Sequence, residues 1–342
     1  MSGGSGGHGR SGGSAGAQKP GRAVQSDAAS RAGGGGVRDG GPQTVPPIRS
    51  LLFVPANRED RIRKALAGDA DGIAIDLESA TPQGESELAR AREIVGRVLR
   101  EASAPGSGPA ILVRVHEAGS PDQARDLEAI VGASLAAILL PQVVTPDDVA
   151  STDAALTRAE QAAGLAPGRI RIMPLVESAN AVRQAYEIAS ASPRVAYMGG
   201  ATSRGGDLAR SLGYRFTDAG LETLFLRSKV LVDVRAAGVP NPISGLWGRV
   251  DDLEGLRAFA QHSRDLGYEG LLTIHPAQVP IVNAIFSPSA AELAEWRRII
   301  AAMEDAEREG LGAIRLDGRL VDAAHAKTAR QQLERARRLG IE

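Results

Sequence analysis

The chain has 342 residues, 43% of them hydrophobic and 3% aromatic, with 40 basic against 41 acidic side chains and a net charge of -1. That balance argues against a nucleic-acid surface and a polybasic membrane patch, and the lack of any cysteine excludes disulfides, thiolate nucleophiles, Cys-zinc sites and iron–sulfur clusters. No apolar run approaches the roughly 18 residues of a spanning helix, and the first residues lack a signal-peptide core, so a soluble cytoplasmic protein without nucleic-acid or membrane partners is expected.

In chain order, the first segment is 1–45, which holds 15 of the 41 glycines and almost no large apolar side chain. Such a composition cannot bury enough surface to offset ordering entropy, so a disordered tail is expected. From residue 46 short apolar runs predict strands at 50–54, 72–77, 110–115, 136–140, 171–176, 194–198 and 270–274, with a weaker one at 242–246. Stretches with apolar residues every three to four positions predict helices between them, among them 58–67, 85–100, 179–190, 221–237 and 253–265. Strands apolar on both faces that alternate with helices imply a parallel sheet. Eight such units in about 250 residues point to an α/β fold, a closed (β/α)8 TIM barrel, over 46–288. A doubly wound sheet is the alternative, but no GxGxxG or GxxxxGK[ST] turn occurs. Extra C-terminal helices follow at 290–308 and 321–339, in an extension (289–342) expected to pack on the barrel or on a neighbouring subunit. In the first of these, Leu293, Trp296, Ile299, Ile300 and Met303 form one stripe.

Barrel enzymes carry their reacting groups at the C-terminal strand ends. Those positions hold Pro55, Asn57, Asp76, Glu78, Arg114, His116, Gln142, Glu177, the segment 199–207 with Gly199, Gly200 and Asp207, and His275. Glu177 and Asp207, from adjacent strand ends, suit a partial shell for Mg2+, which leaves positions to water and substrate oxygens. The glycines beside Asp207 would let backbone approach a ligand. The plain alternative is a helix N-cap for Asp207 and a surface salt bridge for Glu177. Arg114 suits bidentate capture of a carboxylate, or an ion pair with Asp76 or Glu78. His275 reads either as an acid–base group or as a neutral, hydrogen-bonded rim residue. The four lysines, Lys19, Lys64, Lys229 and Lys327, all lie off the predicted strands. A Schiff-base aldolase is therefore excluded, and carbanion chemistry would need a metal. No GxSxG elbow points to a serine hydrolase.

Four segments then carry a resemblance: Arg49-Ser50-Leu51-Leu52-Phe53-Val54-Pro55, Asp76-Leu77-Glu78-Ser79-Ala80, Glu177-Ser178-Ala179 and Leu271-Leu272-Thr273-Ile274-His275-Pro276-Ala277-Gln278-Val279. Over residues 48–335 the chain resembles the citrate lyase β-subunit-like group of the HpcH/HpaI aldolase family. The resemblance implies a Mg2+-dependent carbon–carbon lyase, with Mn2+ as a substitute, acting on CoA or acyl-carrier thioesters such as malyl-, citramalyl- or citryl-thioesters. It implies that Glu177 and Asp207 hold the metal, that Arg114 holds the substrate carboxylate, and that Asp76, Glu78, Gly199, Gly200 and His275 line the substrate. Asp322, in Gly318-Arg319-Leu320-Val321-Asp322, resembles an acid/base aspartate that relatives insert into a neighbouring subunit's site, which implies a homotrimer or homohexamer.

The chain departs from the group's pattern at Ser79, Ser86, His116 and Gln142, and in the extra residues Ala201-Thr202-Ser203-Arg204. A CoA-free aldolase that yields pyruvate from a 2-oxo acid, a malyl-CoA thioesterase and a non-catalytic assembly subunit are the other readings.

Overall fold

The computed structural model describes residues 45–102, 106–200 and 202–341; the tail at 1–44 lies outside them. Eight strands alternate with helices: β1 (Ser50–Pro55), α1 (Glu59–Leu66), β2 (Gly72–Asp76), α2 (Glu85–Glu101), β3 (Ala110–Arg114), α3 (Pro121–Ile130), β4 (Leu135–Leu140), α4 (Pro146–Ala162), β5 (Arg171–Val176), α5 (Ala179–Arg183), α6 (Ala185–Ser190) and β6 (Tyr197–Gly200). There follow α7 (Asp207–Leu212), α8 (Leu221–Ala236), β7 (Asn241–Leu246), α9 (Leu253–Leu266), β8 (Gly270–Thr273) and α10 (Val279–Phe286). Each strand pairs in parallel with the next, and β8 closes on β1 with Ser50 opposite Leu271. The (β/α)8 barrel expected from the sequence is therefore present, the weak seventh strand included. Among the described residues no helix is long and apolar enough to cross a membrane.

Alternation along the strands separates two cores. Ala74, Leu112, Ala137, Leu139, Met173, Leu175 and Ile243 fill the barrel interior. Their neighbours Ile73, Ile75, Ile111, Val113, Ile138, Leu140 and Ile172 face the helices. Closure is tight where β8 meets β1, since a Cβ on Gly270 would lie 2.2 Å from the Ile48 carbonyl oxygen. Helix starts follow local chemistry: Thr145 and Asp148 form a capping box with Pro146 at the first turn of α4.

At the end of the barrel opposite the strand C-termini, a buried ion pair ties α4 to the strands. The Arg194 guanidinium donates to both Glu160 oxygens at 2.9 and 2.7 Å, and Glu160 also accepts from the Ile170 and Gly168 amides. Arg194 is 2% exposed and Glu160 0%. Arg194 also pairs with Asp153, so Glu160→Ala removes one of its two carboxylates and the acceptor of two backbone amides and should cost about 2–3 kcal/mol. Urea unfolding of the variant checks this, and a loss under about 1 kcal/mol would show that Asp153 alone suffices for Arg194.

Three local expectations change. Residues 179–190 form two helices that break at Gln184, which has φ -107 and ψ 23. The sixth strand runs at Tyr197–Gly200, with Val195 only bridging Ile172. Beyond α11 (Ala290–Arg308), β9 (Ala313–Leu316) and β10 (Arg319–Asp322) form an antiparallel hairpin, so the last helix, α12, begins at Ala323 and ends at Arg338. Asp317 (φ 48) and Gly318 (φ 80) supply the left-handed turn that a two-residue hairpin requires. Two residues of the α11 stripe, Ile299 and Met303, pack within the same chain on Ile314, Leu316 and Val321 of the hairpin and on Ala326 of α12. At its other end α12 returns to the barrel, where Arg335 donates to the Glu269 carbonyl at 2.7 Å.

Candidate active site

Strand parity decides what the barrel mouth contains. Asp76 and Glu78 continue the inward row of Ala74, Arg114 continues that of Leu112, and Glu177 continues that of Leu175. Positions that hold apolar side chains deeper in the barrel thus hold charges where the strands end.

Arg114 and Asp76 form the rigid part of this cluster. Nε and Nη2 of Arg114 donate to the two Asp76 oxygens at 2.8 and 2.6 Å. Asp76, 1% exposed, also accepts from the Glu78 and Ala80 amides at 3.0 and 2.8 Å, so its acceptor capacity is filled. Arg114 Nη1 lies 3.3 Å from Glu78 Oε2, and the guanidinium stacks 5.1 Å from the Phe53 ring centroid. Desolvation works against the Arg114 charge, but Asp76, Glu78 and Glu177 more than offset it and hold its pKa above the usual value. The ion pair weighed for Arg114 is present. Asp76 occupies the Nε/Nη2 edge of the fork and Glu78 stands beside Nη1, so a ligand carboxylate on the Nη1/Nη2 edge would share Nη1 with Glu78.

Glu177 lies across the mouth. Desolvation, reinforced by Asp207 and Glu78, pushes its carboxyl pKa up, against the Gln142 amide and Arg114. Oε2 accepts from the Gln142 N–H at 3.0 Å, and Oε1 has no hydrogen-bond partner among the described residues. Among the described residues, the surface salt bridge weighed for Glu177 does not occur. Asp207 is the first residue of α7, whose N-cap is Gly206, so it is not the cap. Its side chain is 41% exposed and pairs with Arg210 at 2.8 Å.

Among the described residues, no cluster of three or more His, Cys, Asp or Glu side chains forms a metal cage. Two carboxylates with oxygen donors only, one of them desolvated and with a bare oxygen, fit a hard divalent ion that keeps water or substrate in its other positions.

Gly199 is required by the barrel itself. A Cβ there would lie 1.6 Å from the Ile243 carbonyl oxygen, so close packing on β7 alone demands glycine. At Gly200 an added Cβ would meet only the Tyr268 hydroxyl, at 3.7 Å. Ala201 lies outside the described residues. His275 is exposed, and its Nδ1 accepts from the Ala277 N–H at 3.2 Å, which makes it the cap of the turn Pro276–Gln278. It borders a cavity of about 680 Å³ between β1, α1 and the end of β8, lined also by Phe53, Arg61 and Lys64.

Asp322 is not brought into this group. It caps α12, accepting from the Ala324 and His325 amides at 3.0 and 3.3 Å, with His325 Nδ1 at 2.7 Å. Those bonds, the His325 side chain's first, hold its carboxyl below the usual range.

Sequence reasoning undervalued Gln142. Its φ of 52 is unusual for a side-chain-bearing residue. That turn aims its N–H at Glu177 while its Nε2 reaches Glu78 Oε1 at 3.4 Å. The departure at Pro141-Gln142-Val143 was its only sequence signal.

Comparison with known proteins adds the following. The sequence profile of the HpcH/HpaI aldolase/citrate lyase family matches residues 49–276. The chain is 36% identical over 290 residues to a (3S)-malyl-CoA thioesterase of Cereibacter sphaeroides, covering 85% of this chain and 95% of the relative. It is 31% identical over 293 residues to the citrate lyase subunit beta of Escherichia coli K12, covering 86% and 94%. The crystal structure of protein CitE from Mycobacterium tuberculosis with magnesium, acetoacetate and coenzyme A superposes with a TM-score of 0.64 at 29% identity, over 85% of this chain and 98% of that one.

Proposed function

The chain belongs to the HpcH/HpaI aldolase/citrate lyase family, and from that premise we propose that it is a Mg2+-dependent lyase that cleaves or forms a 3-hydroxyacyl-CoA thioester such as malyl-, citramalyl- or citryl-CoA. The observation that supports this reading is Glu177, desolvated at the strand C-termini and close enough to Arg114 on one side and Asp207 on the other to feel both charges. Glu177 and Asp207 would hold the ion, whose chemistry is to polarise an oxygen where charge develops.

The residues of the chain divide the rest. The Nη1/Nη2 edge of Arg114 takes the carboxylate beside the 3-hydroxyl carbon, and Asp76 fixes the angle of that edge. In cleavage the hydroxyl loses its proton, the C2–C3 bond breaks to leave a 2-oxo acid, and C2 of the thioester enolate gains a proton. We assign that proton to Asp322 of the partner subunit, within a homotrimer or homohexamer that uses the 289–342 extension. Arg61 and Lys64, on the wall of the 680 Å³ cavity, carry the charge that phosphate groups of the thioester arm need.

A second reading, thioester hydrolysis, is favoured by the 36% identity to a malyl-CoA thioesterase. Malyl-, citramalyl- and citryl-CoA, each incubated with enzyme and Mg2+, separate the two by mass spectrometry. Acetyl-CoA with an equal amount of 2-oxo acid is expected. Free CoA with an intact hydroxy acid would replace the lyase by the hydrolase, and no turnover of any thioester would overturn both.

A further inference from the structure

One buried cluster at the barrel mouth has no part in the chemistry above. His116 lies just past the end of β3, two residues beyond Arg114, and is 6% exposed. Its Nδ1 lies 2.7 Å from Asp126 Oδ2, and its own backbone N–H donates to the same oxygen at 2.9 Å. Its Nε2 lies 2.9 Å from Oε1 of Gln83, in the segment that joins β2 to α2. Asp126 is fully buried, and its other oxygen accepts from Arg92 Nε at 2.7 Å.

The protonation state follows from what surrounds each nitrogen. Gln83 Nε2 donates to the Thr81 carbonyl at 2.8 Å and to the Glu78 carbonyl. Turning the amide over would aim its oxygen at those carbonyl oxygens, so Oε1 must be the atom that faces His116. Asp126 already accepts from Arg92 Nε on one oxygen and from the His116 backbone N–H on the other, so Nδ1 faces an acceptor as well. Two acceptors require two donors, and only the imidazolium supplies both.

We propose that His116 is a protonated latch: it holds Gln83, Gln83 holds the carbonyls of the 78–84 segment, and the segment thereby sets Glu78 against Arg114. His116 is a positioning residue, since it touches neither Arg114 nor the proposed metal ligands. As a statement about substrate binding this rests on the function proposed above; as a statement about the loop it does not.

The charged groups around the ring agree. The hydrogen bond to Asp126 raises the imidazole pKa most, burial opposes it, and Asp122 adds to the rise while Arg92 subtracts. A folded pKa raised above the unfolded value means that the latch is fully closed at low pH and is lost as pH rises through the folded pKa. Neutral His116 would keep Nδ1–H on Asp126 and turn a lone pair towards Gln83 Oε1, which repels it.

The test uses the full chain and needs no substrate. In 15N-detected imidazole spectra, with His116 assigned by its disappearance in His116→Asn, both ring nitrogens should be protonated at pH 7 and titrate above a free histidine. Hydrogen exchange of residues 78–84, corrected for intrinsic pH dependence, should speed up on the order of tenfold across that titration, the scale of one charge-assisted hydrogen bond. Gln83→Leu changes an exposed residue and spares the core. It should give the fast exchange at every pH and lower the His116 titration. With an active thioester, the wild-type KM should rise over the same pH interval while kcat changes little, and Gln83→Leu should abolish that limb. A neutral His116 at pH 7, or exchange at 78–84 indifferent to both pH and Gln83→Leu, overturns the latch. Inactivity with every thioester alongside a positive exchange result overturns the proposed function and leaves the latch.

Discussion

Asp207→Asn should bind Mg2+ more than about 100-fold more weakly than the wild type, beyond what losing an outer partner of a metal ligand costs, and should lose activity in proportion. Asp207 is 41% exposed and makes its ion pair with Arg210 on the surface of α7, so the fold does not depend on its charge. Glu177→Gln should weaken binding as much, yet with a different thermal signature. The Glu177 carboxylate is desolvated and faces the like charges of Asp207 and Glu78. Neutralising it removes a folded-state penalty, so the metal-free variant should melt no lower than the wild type. Mg2+ at about 100 times the wild-type dissociation constant should stabilise the wild type by about 2.7 kcal/mol and either variant by less than about 0.4 kcal/mol. Calorimetric titration and melting curves read both effects. Undiminished Mg2+ binding in either variant would remove that residue from the metal site.

Asp322→Asn should slow turnover roughly 10²–10⁴-fold with substrate binding preserved, the usual loss when an acid/base group is removed. The substitution is well isolated from stability. Asp322 caps α12 through two backbone amides, and asparagine caps as well as aspartate does. If capping were its whole role, both stability and activity should survive, with a change under about 1 kcal/mol. Geometry is tested by mixing. Within its own chain Asp322 is held by Ala324 and His325, away from Arg114 and Glu177, so a catalytic role requires another subunit's barrel. Arg114→Ala and Asp322→Asn proteins, each inactive, should regain part of the activity once their subunits exchange, because some mixed sites unite an intact Arg114 with Asp322 of the partner subunit. Proven exchange without recovery would show that each site is built from a single chain.

The sequence by itself determined the barrel and the identity of its mouth. Eight runs apolar on both faces can be satisfied only by an interior and a surrounding layer of helices, and period-two alternation carries Asp76, Arg114 and Glu177 inward once their strands are placed. It did not reveal the β9–β10 hairpin, and the helical reading of residues 321–339 overran β10. What each charged group does with its neighbours was decided by tertiary structure. Arg114 and Asp76 are 38 positions apart, Gln142 and Glu177 are 35 apart, and His116 and Gln83 are 33 apart. No local periodicity relates such pairs. They meet because closure of the barrel brings consecutive strand ends side by side, and desolvation there makes each remaining hydrogen bond decisive. The left-handed turn at Gln142, the demand of β7 for glycine at position 199, and the two acceptors around His116 all arise from that closure, and none is a property of the residue in its own segment.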